Sequence, residues 1–163
     1  MLALLFQIAR KPLGLTAFGS YPIRAYKLYH TSRRKGIKMW HYFQPNPLRL
    51  NVGDCTVRSI CAVTGLDWNT VHKALCDLSG DMADMPSADR VWWALLEQFG
   101  FGRQRMIDRC PQCYTVSDFC RDHRSGLYVL GPREHAVACI DGNYWDSWDS
   151  GNTVPTYYFR RIS

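Results

Sequence analysis

Between residues 54 and 100 the apolar positions fall at helical spacing, and beyond residue 100 the chain breaks into short runs typical of strands. Val57, Ile60, Cys61 and Val63 share one face of a helix that opens after Asp54, a good N-cap residue, and stops at Gly65. A second helix restarts at Asp67-Trp68-Asn69, runs through Val71, Ala74, Leu75 and Leu78, and ends at Gly80. Ser87 is the expected cap of a third, carried by Val91, Trp92, Leu95 and Leu96 to Gly100. A strand is expected near Gln104–Ile107, followed by a Cys-rich turn. Thr115-Val116-Ser117-Asp118 then has the form of a capping box before a short helix to His123. Strands are expected over Gly126–Leu130, His135–Ile140, Tyr144–Trp148 and Thr156–Arg160. N-terminal helices followed by a mainly antiparallel C-terminal sheet make an α+β domain.

Composition adds a boundary. The chain of 163 residues is 47% apolar and 21% charged, as expected of one globular domain with a real core. Its net charge of +6 is unevenly spread: residues 1–38 hold eight Lys/Arg and no acid. The remaining twelve basic and fourteen acidic residues leave 39–163 at −2. We therefore expect a basic extension over 1–38 and a functional domain over 39–163, opening at Met39-Trp40-His41-Tyr42-Phe43. The extension reads as poorly ordered, with a membrane- or nucleic-acid-touching arm and a pro- or targeting segment as competing readings. A domain that is not basic loses the main electrostatic support for specific nucleic-acid binding. The opening Leu2–Phe6 run is too short for a secretory signal and lacks a basic segment before it. No stretch approaches the roughly 20 apolar residues of a membrane span, so no stable membrane insertion is expected. Seven cysteines without a secreted-scaffold rhythm favour a reducing, cytoplasmic setting. Oligomeric state is left open.

One cysteine stands apart. In Asn51-Val52-Gly53-Asp54-Cys55, the thiol falls on the first turn of a helix, where unpaired backbone N–H groups stabilise a thiolate and can receive an oxyanion. Asp54 beside it opposes this unless its carboxylate is engaged elsewhere. Cys61 and Cys76, within helical apolar patterns, read as small core residues. Eighty residues after Cys55 comes His135, and eleven further Asp146. Asp141-Gly142 between two apolar runs signals a two-residue hairpin, pairing Ile140 with Asn143 and setting Trp148 opposite His135. Asp146 then lies on the histidine's side of the sheet as a diagonal neighbour, and Asp149 on the other. Thiol, imidazole and carboxylate supply a nucleophile, a proton carrier and a group that fixes the imidazole's tautomer. The bland alternative is a surface histidine with a solvated aspartate nearby.

His135-Ala136-Val137 and Asp146-Ser147-Trp148 resemble the His-Ala-Val and Asn-Ser-Trp elements of papain-like cysteine peptidases, with Asp in place of Asn. Cys55 at a helix start resembles the family's nucleophile position. The resemblance spans roughly residues 39–160, on about ten specific positions. It implies a papain-like fold, with Cys55 as nucleophile, His135 as general base and acid, and Asp146 as orienting residue. It implies a cysteine hydrolase, a peptidase or amidase, acting on a peptide or protein substrate through a thioacyl-enzyme, with no cofactor required. Transfer of the acyl group to an amine would use the same residues. The family's oxyanion glutamine falls at position 49, which is Arg49 here; Gln44 lies eleven residues before the cysteine, and Asn51 is the best substitute donor. The alternative is a non-catalytic binding module of the same fold.

A second constellation competes for attention. Cys110, Cys113, Cys120 and His123 are spaced C-x2-C-x6-C-x2-H, a set of soft ligands that suits a structural zinc. Otherwise Cys120 packs beside Phe119, and Cys110 and Cys113 are free or redox-active thiols.

Overall fold

The structure, a computed structural model, describes residues 39–107 and 113–162. The expectation for residues 1–38 lies outside them, as does Cys110. Among the described residues ten elements follow one another: β1 (Trp40–Tyr42), α1 (Cys55–Thr64), α2 (Trp68–Met82), α3 (Asp89–Gln98), β2 (Phe101–Arg105), α4 (Val116–Asp122), β3 (Leu127–Gly131), β4 (Val137–Ile140), β5 (Asn143–Asp146) and β6 (Tyr157–Arg161). The strands form one sheet in the order β1-β5-β4-β3-β6-β2. Only β1 runs parallel to its neighbour; every other pairing is antiparallel. The fold is thus α+β, as the periodicity predicts.

Each face of the sheet has its own core. Ile60, Val71, Leu75, Trp92 and Leu96 from α1–α3 pack on Val129, Ala136, Ala138 and Phe159. On the other face Val116, Phe119 and Cys120 of α4 close over Tyr128, Leu130, Val137 and Tyr144. The helices therefore do not all lie on one side: α4, inserted between β2 and β3, covers the second face.

Several boundaries differ from the sequence reading, each for a local reason. β1 has no counterpart in that reading; three residues, two half-buried and Tyr42 exposed, are too few to show alternation. α2 passes through Gly80, which has open space around it, and ends at Met82 because Ala83 takes the left-handed conformation (φ 50°). α3 is capped at Ala88, one residue after Ser87, and without a side-chain cap. β2 begins at Phe101, three residues early, because left-handed Gly100 (φ 79°) turns the chain straight into the sheet. The capping box of α4 forms as expected, between Thr115 and Asp118.

The hairpin that orders the site follows its expected register. Ile140 pairs with Asn143, Cys139 with Tyr144 and Ala138 with Trp145. Asp141 and Gly142 both have positive φ (47° and 75°), the requirement of the two-residue turn.

Candidate active site

Cys55 is the first residue of α1. Asp54 stands at the cap position, yet its carboxylate makes no cap hydrogen bond. It receives the Trp68 indole N–H at 2.9 Å and pairs with the Arg58 guanidinium instead. The N–H groups at the start of α1 thus keep no side-chain acceptor from Asp54, and the carboxylate beside Cys55 is paired with a guanidinium. Both consequences favour a thiolate at the helix start.

His135 is delivered by a turn rather than by a strand. β3 ends at Gly131, Arg133 takes positive φ (38°), and the His135 N–H closes on the Pro132 carbonyl at 2.8 Å. β4 begins two residues later, so the expected strand over His135–Ile140 loses its first two positions. The imidazole Nε2 meets Asp146 Oδ2 at 2.6 Å, which leaves Nδ1 for the thiol. The Cys55 and His135 side chains each move the other toward its charged form, and the Ala136 backbone lies near enough to the sulfur to lower its pKa as well. Cys55, His135 and Asp146 therefore form one connected line.

Asp146 ends β5 and is 1% exposed. Its Oδ1 accepts from Arg58 Nη2 at 3.1 Å and from the Ser147 N–H at 2.7 Å. Asp149, the residue excluded by sheet parity, is taken up by the Tyr144 hydroxyl. The Trp148 ring lies 5.3 Å from that of His135, covering one side of the pair while remaining half exposed itself.

The charges reinforce one another. Burial works to raise the Cys55 pKa, but the His135 hydrogen bond and charge, the Ala136 N–H and the Arg58 charge together bring it below its ordinary 9.0. Burial likewise opposes the charged form of His135, and the hydrogen bonds and charges of Asp146 and Cys55 outweigh it, raising its pKa to about 9. For Asp146, burial pushes upward and loses to His135 first and Arg58 after it, so the carboxyl stays ionised. These directions favour a thiolate–imidazolium pair over the neutral pair. Cys61, by contrast, is pushed up to about 12, by burial first and then by nearby carboxylates. It is an inert core thiol.

Arg58 was not singled out from the sequence. It is 4% exposed and links Asp54 to Asp146, tying the residue before the cysteine to the residue behind the histidine. Its sequence signal was available: it is the only charged residue in α1 and lies four positions after Asp54, the spacing of a helical ion pair.

The remaining candidates are placed differently. Asn51 is exposed in the loop before α1, and among the described residues no hydrogen bond ties it to the site. Gln44 is occupied within that loop, donating to the Leu50 carbonyl at 3.2 Å and accepting from the Asn46 N–H. Arg49 is an exposed turn residue with positive φ (53°). Of the four proposed zinc ligands, Cys120 is buried with its thiol 2.9 Å from that of Cys139. His123 stacks on Phe119 at 3.8 Å, with Nδ1 against the Phe119 carbonyl. Cys113 is exposed, and no group of three metal-ligating side chains occurs among the described residues. No described helix is long and apolar enough to cross a membrane.

The assembled groups supply a polarised thiol, a proton carrier within its reach, and a buried anion that holds the carrier's tautomer. In comparisons with known proteins the chain matches no family model, no curated protein and no solved structure.

Proposed function

We propose that the chain is a papain-like cysteine hydrolase that cleaves a peptide or related amide bond. The observation that carries this reading is the connected line Cys55–His135–Asp146, with Nε2 of the imidazole on the carboxylate and Nδ1 left for the sulfur. The Cys55 thiolate attacks the carbonyl carbon and forms the C–S bond of a tetrahedral intermediate. Backbone N–H groups at the start of α1 receive the oxyanion, with the Asn51 amide as the side-chain donor nearest in sequence. His135 protonates the leaving amine as the C–N bond breaks, giving a thioacyl-enzyme. The neutral imidazole then takes a proton from water, which attacks the thioester and releases the acid and the thiol. Asp146, held by Arg58, keeps the imidazole oriented through both steps. A nucleophile of this kind needs a reduced thiol, which suits a reducing compartment such as the cytoplasm.

The test is competition among the cysteines for a limiting dose of iodoacetamide, mapped by mass spectrometry in the wild type and in His135→Ala. Selective labelling of Cys55 that slows in the variant is the expected result. Uniform slow labelling in both proteins would sink the hydrolase reading and leave a non-catalytic binding module of this fold.

A further inference from the structure

A cluster unused by this chemistry rises from the strands two and three places along the sheet from β4, with Tyr157 on β6 and Arg103 on β2. Leu130 pairs with both Val137 and Tyr158, and Gly131 pairs with Tyr157. The strands β4, β3 and β6 therefore lie side by side at the end of the sheet where Ala136 lies near the Cys55 sulfur, each about 4.8 Å from the next. The Tyr157 ring crosses that spacing. A Cβ built on Gly131 would overlap the ring and stand 2.6 Å from its hydroxyl oxygen, so the ring lies over the glycine and leans from β6 toward Ala136. Burial is the main cause of Tyr157's raised pKa, and the Cys55 charge contributes to it, which fits this closeness.

Trp93 of α3 completes the wall. Its indole N–H reaches the Tyr157 hydroxyl at 3.3 Å, and the two rings meet edge to face at 5.2 Å. The Arg103 guanidinium lies over both, 3.8 Å from the Trp93 centroid and 4.7 Å from that of Tyr157. Register places it there: Arg103 is opposite Phe159 and Arg105 opposite Tyr157, so both arginines share the face of the sheet that carries α1. Among the described residues no carboxylate comes within ion-pair distance of Arg103. Asp89, whose charge reaches Tyr157, is held by the Trp92 indole N–H at 3.1 Å. An exposed guanidinium held near two rings that stand at 74° to each other, with no hydrogen-bond or ion-pair partner among the described residues, has N–H groups to offer a planar, bidentate acceptor.

We propose that Arg103, seated on Trp93 and Tyr157, forms a carboxylate-binding subsite beside Cys55, so that the substrate bears a carboxylate close to the bond that is cut. This rests on the hydrolase reading and adds a substrate class to it. The carboxylate is that of an acidic side chain or of a chain terminus. The His135 and Arg58 charges are already matched by the Cys55, Asp54 and Asp146 anions, so Arg103 is the cation left to draw a substrate carboxylate.

Three chloroacetyl probes separate the possibilities: the glutamine amide, the glutamate amide, and glutamine with a free α-carboxylate. In each the thiolate displaces chloride and leaves a thioether. The neutral glutamine amide should label Cys55 selectively, and at least one anionic probe should label it about tenfold faster. Whichever anionic probe gains identifies the source of the carboxylate. In Arg103→Gln the ratio of anionic to neutral rates should fall to about one or below, and Arg103→Lys should lie between. Selective neutral labelling with a wild-type ratio of one or less would overturn the subsite alone. So would a raised ratio that Arg103→Gln leaves unchanged. If the neutral probe labels Cys55 no faster than the other cysteines, the hydrolase reading fails and the subsite falls with it.

Discussion

At the scale of single residues, the proton on His135 is the most informative quantity. Its pKa is raised from 6.5 to about 9, so the folded protein holds a proton there that the unfolded chain releases at neutral pH. That contribution to stability is fully present below pH 6.5 and is lost as the pH rises through about 9. In the hydrolase reading the same proton goes to the leaving amine, so activity should decline on an alkaline limb near pH 9. Asp146→Asn removes the anion and should move that limb toward pH 6.5, the ordinary value. A pH–rate profile checks it, or for the resting protein the imidazole resonance followed by NMR. The aspartate could be chosen over Asp149 from the sequence because sheet parity depends only on the hairpin turn. For Arg58 the local half of the bridge, Asp54 four positions before it, is legible, whereas no local pattern announces its reach across 88 residues to Asp146.

At the scale of elements, α1 is fastened by charge as well as by apolar packing. Its buried residues include Val57, Ile60 and Cys61, but Arg58 points into the same interior and reaches the end of β5. Burying a guanidinium is tolerable only while both carboxylates answer it. Arg58→Met should therefore cost about 3–5 kcal/mol, since it leaves two carboxylates in a site with side-chain exposures of 4% and 1%. Urea unfolding of the variant beside the wild type measures this, and a loss below about 1 kcal/mol would show that the bridge does little. The helices were legible from periodicity, and the β4–β5 hairpin from Asp141-Gly142. The first strand was not, because β1 is defined by a distant partner rather than by its own three residues. The end of α2 was misplaced for a related reason: glycine permits a helix stop without requiring one, and the reversal fell on Ala83.

At the scale of the whole molecule, stability rests chiefly on the face that carries α1–α3. Trp92 is 2% exposed there, its ring 5.6 Å from Phe159 and 6.3 Å from Tyr157. Trp92→Ala should cost about 3–5 kcal/mol and lower Tm well beyond what a surface change does, as thermal unfolding would report. The short strand β1 has a different kind of importance. It joins β5 in parallel, and both the Trp40 indole N–H and the Phe43 N–H close on the Asp146 carbonyl, at 3.3 and 2.9 Å. The start of the loop that leads to Cys55 is thus anchored to a strand more than a hundred positions away. Such long-range closure comes late in folding. During synthesis, a chain that has reached residue 120 already carries Cys55 but lacks both His135 and Asp146. In the hydrolase reading the thiol becomes reactive only once residues 135–146 have been made and docked, so a chain still short of them is chemically quiet toward its neighbours.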